Sequence, residues 1–246
     1  VSAKIMKSGI PVPKSLYSPL TPPGRIMPGL LAVFDLDGTL HRTDRALLPA
    51  IRAALEEIGV TGIDDERINS LYGEPLEVFA STLLEGTAAD AVAFREGIRR
   101  HQRRTLPEYG ELYPGVGEML SEAATAGWTL AVLSNAGMDY IELVTSTLGI
   151  RRHFEHLRGR DGGDGRKTAR LMDLMAATGC TMAVMVGDRY HDIEAAREAG
   201  ITSIGCGYGY GAPREIERAD HLVRSVGEIG PLLDRLGAAR GPIGAS

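Results

Sequence analysis

The run Leu30-Leu31-Ala32-Val33-Phe34 is apolar at every position and gives way at once to Asp35-Leu36-Asp37-Gly38-Thr39. Continuous apolarity with no alternation marks a strand covered on both faces, and an abrupt acidic exit marks the loop that leaves it. Similar runs recur: Leu130 to Leu133 ending at Ser134, Met182 to Val186 ending at Gly187-Asp188, and Ile201 to Ile204 ending at Gly205, with a short Leu222-Val223 strand after them. Helical patterns separate these strands over Gly117 to Ala126, Asp139 to Leu148, Thr168 to Ala177, Asp192 to Ala199 and Val226 to Leu236. Alternation of this kind predicts an α/β chain with a doubly wound parallel sheet. Ligands of such sheets sit beyond the carboxyl ends of the strands, where Asp35, Ser134 and Asp188 fall.

Between Thr39 and Pro114 the strand signal disappears for about 70 residues, far more than a βα connection requires. Helical patterns replace it, so the segment is expected to be an inserted α-helical cap. Its first helix is expected to begin at Pro49, bury Ile51, Leu55 and Ile58, and stop at Gly59. Further helices are expected over Glu66 to Tyr72, Pro75 to Leu84 and Ala88 to Leu106. The domain expectation is therefore a flexible proline-rich arm over 1–29, a core of 30–40 with 114–238, and a cap over 41–113. The arm holds six of the thirteen prolines and no continuous apolar stretch of the signal-peptide kind.

Composition narrows the function classes. Net charge is -5, and Lys4, Lys7, Lys14 and Arg25 are the only charges in the first 30 residues, leaving 23 basic against 32 acidic residues in the remainder. That balance argues against nucleic acid as a partner. No apolar run approaches the length of about 18 residues that a membrane span needs. Cys180 and Cys206 stand apart with no CxxC, which argues against a zinc site or a disulfide framework and for a reducing cytoplasm.

The chemistry is concentrated at the strand ends. Asp35 and Asp37 lie two apart, and carboxylates that close repel unless a cation neutralises them, so the pair reads as a magnesium site built from oxygen ligands. One can attack a phosphorus atom to form an aspartyl-phosphate while the other shuttles a proton. On its own, DLDGT is equally an acidic turn with Asp and Gly as turn formers. Ser134-Asn135 offers a hydroxyl and backbone N–H groups to a phosphoryl oxygen, although Ser-Asn pairs also simply start turns. Lys167, after the glycine-rich stretch 161–165, could neutralise nucleophile and phosphate together, or be a solvated surface lysine. Asp188 and Asp192, four apart at a helix start, read as the second half of a metal site or as an N-cap with an acid in the first turn.

Taken in order, DLDGT, SN, Lys167 and Gly187-Asp188-Arg189-Tyr190-His191-Asp192 resemble the four motifs of the haloacid dehalogenase superfamily, over Leu30 to about Leu236. The resemblance implies a Mg²⁺-dependent phosphatase in which Asp35 is nucleophile and metal ligand. Asp37 would be the general acid and base, with its backbone carbonyl on the metal. Ser134, Asn135 and Lys167 would hold the phosphoryl group, and Asp188 would be a further metal ligand. Asp192 would stand either at the metal through water or behind Lys167. The acid at position 37 sets the chain apart from the dehalogenating members, which need none for halide departure.

Tyr72-Gly73-Glu74-Pro75-Leu76-Glu77, Tyr113-Pro114-Gly115-Val116 and Gly207-Tyr208-Gly209-Tyr210-Gly211 are similar to segments of the phosphoglycolate phosphatase group, which implies a four-helix cap and makes phosphoglycolate the first substrate to consider. His41-Arg42-Thr43-Asp44 departs from that group's usual aliphatic-Asp-Ser, and Thr rather than Pro follows Lys167. His41 and Arg42 would meet an anionic substrate or form a solvated linker, and His191 stands out among the histidines because it lies inside the fourth motif. The expected partner is a small phosphorylated metabolite, with the chain acting as monomer or homodimer. A nucleotidase, a pyrophosphatase, a sugar-phosphate mutase or a catalytically silent binding module of the same fold are the alternatives.

Overall fold

A computed structural model describes residues 29–160 and 165–239. The proline-rich arm and the glycine-rich residues 161–164 lie outside the described residues, apart from Gly29. Six parallel strands form one sheet in the order β3-β2-β1-β4-β5-β6. They are β1 (Leu30–Phe34), β2 (Thr129–Leu133), β3 (His156–Arg158), β4 (Met182–Gly187), β5 (Thr202–Cys206) and β6 (His221–Val223). All five residues of β1 are buried, which is why that strand is central and apolar throughout. Covering each of its leucine, valine and phenylalanine side chains contributes roughly 1.5–3 kcal/mol.

Helices cover both faces. On one, Phe34, Val132 and Val186 pack against α5 (Val116–Thr125), α6 (Met138–Thr147) and α10 (Ile229–Ala238). On the other, Leu31, Val33, Leu133 and Met185 meet Leu171 and Leu174 of α7 (Lys167–Thr178) and Ala195 and Ala196 of α8 (Tyr190–Ala199). The expected doubly wound α/β sheet is therefore present. Strand order reverses between β1 and β4, and Phe34 faces Val186 across that pair. A crevice must open there, immediately beyond Asp35 and Asp188.

Four helices follow β1 before the chain returns to the sheet: α1 (Thr43–Glu57), α2 (Asp65–Asn69), α3 (Leu76–Leu83) and α4 (Ala91–Tyr109). They hold a hydrophobic cluster of their own, including Ile51, Leu55, Ile68, Phe79, Phe94 and Ile98. Side-chain caps fix two of the starts. Asp64 accepts from the Arg67 N–H, and Asp90 accepts from those of Val92 and Ala93, satisfying donors that helix geometry leaves open. The two crossings to the sheet run side by side, with Arg42 N–H donating to the Glu111 carbonyl and Tyr113 N–H to that of Leu40.

Two expectations are corrected. The first helix starts at Thr43, so Pro49 lies inside it rather than at its head. The buried faces of Ala46, Ala50 and Ala54 continue one stripe across the proline, and that packing outweighs the single helical hydrogen bond Pro49 cannot make. Strand β3 was not expected, because His156-Leu157-Arg158 carries one apolar residue and pairs along only one edge. The short helix α9 (Pro213–Ile216) is also additional.

Candidate active site

Four separate stretches of chain deliver acidic, basic and hydroxyl groups to the crevice. Asp35 leaves β1, with its N–H held by the Val186 carbonyl at 2.8 Å. Ser134 leaves β2, with its N–H on the Arg158 carbonyl at 3.0 Å. Lys167 opens α7, and Asp188 follows β4. All four are buried. The Lys167 ammonium lies 2.6 Å from Asp35 Oδ1 and 2.5 Å from Asp192 Oδ1. Asp192 accepts through its other oxygen from the Arg189 N–H at 3.0 Å, in the first turn of α8. Asp192 thus stands beside Lys167, one of the two places the motif allowed, and its carboxylate also lies within 4.8 Å of those of Asp35 and Asp188, which keeps the other place open.

Carboxylate oxygens of Asp35, Asp188 and Asp192 lie within 4.8 Å of one another. Three buried carboxylates face one buried ammonium, so negative charge is in excess where water cannot screen it. Burial pushes the Asp35 carboxyl well above its ordinary range against the pull of Lys167, and the acids at 188 and 192 push it further. Asp188 is pushed up to about 7, by burial and then by Asp192. Burial draws the Lys167 ammonium down, but Asp192 and Asp35 outweigh it and its pKa is raised. A hard divalent cation with oxygen ligands suits this donor set, since it would offset the excess and return the carboxylates to their charged form.

Asp188 is held tightly. Its Oδ2 accepts from the Tyr210 N–H at 2.7 Å, and Gly38, Gly209 and Gly211 press against it. A Cβ at any of the three would come within 2.2, 2.3 and 1.9 Å of Asp188 atoms, respectively, so no side chain fits there.

Asp37 is arranged differently from Asp35. Its Oδ1 accepts from Thr43 Oγ1 at 2.7 Å and from the Tyr140 hydroxyl at 2.8 Å, with His41 Nδ1 at 3.4 Å. Among the described residues no hydrogen bond reaches Oδ2. The carboxylate is thus oriented by one oxygen and presents the other to the crevice. Burial, with Asp37 beside it, pushes the Tyr140 phenol well up, so it stays a neutral donor.

Sequence reasoning brought forward Asp35, Asp37, Ser134, Lys167, Asp188 and Asp192, and the fold gathers all six. Asn135 adjoins them, but its side chain donates to the Gly73 carbonyl and accepts from Arg170, leaving its backbone N–H as the group available to a phosphate. Tyr140 was missed and carries no local signal, being five residues beyond Asn135 on α6. Thr43 lay inside the departing segment His41 to Asp44. His41 is fully buried beside Asp37, whereas Arg42 pairs with Glu111 in solvent. His191 reaches Glu74 at 3.4 Å, and Arg189 bonds Glu215, Glu74 and the Tyr72 carbonyl, joining the fourth motif to the helical insert.

Residues 32–206 match the family model described as haloacid dehalogenase-like hydrolase. The chain belongs to that family, and the expectation of a phosphatase-like hydrolase is met at that level. Within it, the chain is 31% identical over 189 residues to phosphoglycolate phosphatase of Agrobacterium fabrum, covering 73% of this chain and 81% of that one. It is 30% identical over 199 residues to the tyrosine-protein kinase PtkA of Mycobacterium tuberculosis, covering 78% and 67%. A crystal structure of a predicted phosphoglycolate phosphatase from Haemophilus somnus superposes with a TM-score of 0.78 at 23% identity, over 84% of this chain and 99% of that one, and speaks for the fold. No helix among the described residues is long and apolar enough to cross a membrane.

Proposed function

We propose that the protein is a Mg²⁺-dependent phosphatase that hydrolyses a small phosphomonoester through a phospho-aspartate on Asp35. The observation that carries this reading is the convergence of Asp35, Ser134, Lys167 and Asp188, from four distant segments, on one buried crevice at the switch point of the sheet. Retaining such a concentration of charge costs folding energy and has a chemical rationale only if the charges act on a ligand.

In this reading, Asp35 attacks phosphorus while Asp37, through its free Oδ2, protonates the departing alkoxide, which leaves as the alcohol. Asp37 then takes a proton from water as that water attacks the phosphorus of phospho-Asp35. The acyl phosphate bond breaks, and inorganic phosphate and the Asp35 carboxylate are released. Ser134, the Asn135 N–H and Lys167 hold the phosphoryl oxygens in both displacements. Asp35, Asp188 and the Asp37 backbone carbonyl would hold Mg²⁺, which when bound supplies charge neutralisation for the phosphoryl group. Residues 41–113 act as a cap domain over the core of 30–40 and 114–238, excluding bulk water. The setting proposed is a reducing cytoplasm, with the chain a monomer or homodimer.

Likeness to the phosphoglycolate phosphatases makes phosphoglycolate the first compound to test. Phosphate release would be measured from phosphoglycolate, nucleoside monophosphates, pyrophosphate and sugar phosphates, with Mg²⁺ and with chelator. Mg²⁺-dependent release concentrated on one compound is the expected result. A folded protein that releases phosphate from none of them would shift the reading to a mutase or a binding module.

A further inference from the structure

Beside Asp37, between the helical insert and α6, lies a cavity of about 480 Å³. Its wall includes Leu47, Ile51, Phe79 and Ile98 from the insert, and Met138 and Leu143 from α6. Asp37 and Asn135 border this space, while Asp35, Lys167 and Asp188 do not. That division matters, because an acid that protonates a leaving oxygen must stand on the leaving-group side of phosphorus. The cavity is therefore where the alcohol half of a substrate would sit.

Its size is out of proportion to a two-carbon leaving group such as glycolate. Pockets of roughly 300–1,000 Å³ are those that house drug-sized molecules, and their apolar walls reward an apolar occupant. The charges on the wall are unequal in their partners. Glu74 is engaged by Arg189 and His191, and Glu77 by Arg95. Asp139 lies in the first turn of α6, where a carboxylate suits the helix dipole. Arg160 also borders the cavity and has a partner of its own, whereas Arg99 and Arg103, one turn apart on α4, lie at the solvent-exposed rim and neither has a hydrogen bond or ion pair among the described residues. Like charges at this spacing repel unless an anion comes between them.

We infer that this cavity receives the leaving group, and that the substrate class is the phosphomonoester of an alcohol with a ring-sized apolar body ending in a second anionic group, bound by Arg99 and Arg103. The inference rests on the phosphatase reading and narrows it. It moves phosphoglycolate from first candidate to a poorly fitting reference, since that leaving group carries an anion but no body to fill the cavity.

Three primary alkyl phosphates of similar leaving-group basicity test it: phosphoglycolate, benzyl phosphate and 4-carboxybenzyl phosphate, each assayed for phosphate release with Mg²⁺. The expected kcat/KM is highest for 4-carboxybenzyl phosphate, exceeding phosphoglycolate by about tenfold or more. In R99A/R103A the ratio of kcat/KM for 4-carboxybenzyl over benzyl phosphate should fall about tenfold, mainly through KM. Phosphoglycolate turned over faster than both aromatic esters would overturn the inference and leave the phosphatase standing. A ratio unmoved in the variant would overturn the role of the two arginines. No Mg²⁺-dependent release from any of the three would overturn this inference; it would leave the phosphatase reading standing if another compound of the wider panel releases phosphate, and would overturn that reading too if none does.

Discussion

The Tyr140 hydroxyl donates to Asp37 Oδ1 at 2.8 Å, so a residue on the helix after β2 sets the orientation of a carboxylate that follows β1. Removing that hydroxyl leaves Thr43 to hold the same oxygen, at 2.7 Å. Tyr140→Phe is expected to lower kcat by about tenfold, the equivalent of one hydrogen bond of about 1.4 kcal/mol, with little change in the melting temperature. Steady-state kinetics beside a thermal melt checks this, and an unchanged kcat would remove Tyr140 from the positioning of Asp37.

Asp35→Asn is expected to lower turnover by about a thousandfold or more while the fold persists, because an amide at this place cannot form the phospho-enzyme. Circular dichroism would establish the fold and phosphate release the loss. A variant retaining most of its Mg²⁺-dependent activity would exclude the covalent route.

Burial, and then Asp192, push the metal-free Asp188 carboxyl up to about 7 from an ordinary 3.8. Between those values the folded carboxyl keeps a proton that the unfolded chain has lost. Metal-free stability is therefore fully supported at low pH, declines as pH rises toward 7, and levels off above it. Saturating Mg²⁺ should restore stability at pH 8, by about 2.7 kcal/mol at a hundred times Kd. Asp188→Asn should make the metal-free decline shallower, leaving the part that the raised Asp35 carboxyl contributes, and abolish most of the Mg²⁺ effect, as melts at pH 5 and pH 8 would show.

Asp220 behaves oppositely. Its carboxylate accepts from the N–H and hydroxyl of buried Ser203 at 2.8 and 2.7 Å, and these bonds hold it below the ordinary carboxylate range. Its contribution is present above pH 3.8 and lost as pH falls through the depressed value. Asp220→Ala should cost about 1 kcal/mol at pH 7 by leaving the Ser203 N–H without its partner, and a smaller amount at pH 2. Denaturant titrations at the two pH values would measure the difference.

Much of the core was legible in the sequence because strands buried on both faces leave an unbroken apolar signature, and because the family places its reactive groups where those strands end. Asp35, Ser134 and Asp188 could each be found that way, and Lys167 by its place in the motif order at the start of α7. His156-Leu157-Arg158 escaped because an edge strand need not be apolar. Pro49 misled because a proline reads as a helix start unless the packing on either side is known. The contacts that Tyr140 and His41 make with Asp37 became visible only in three dimensions, since they depend on how α6 and the crossing at 40–42 meet. The free arginines of α4 were likewise indistinguishable from surface charge until the cavity was seen.

The packing of Gly38, Gly209 and Gly211 around Asp188 also bears on how this lineage could lose its activity. A substitution at Gly38 or Gly209 would push on the Asp188 side chain, and one at Gly211 on its backbone carbonyl, while every reactive side chain remained encoded. Inheritance could thus produce an inert descendant whose motifs of acids and lysine still look intact, and a reader comparing such genes should inspect the glycines before crediting the carboxylates.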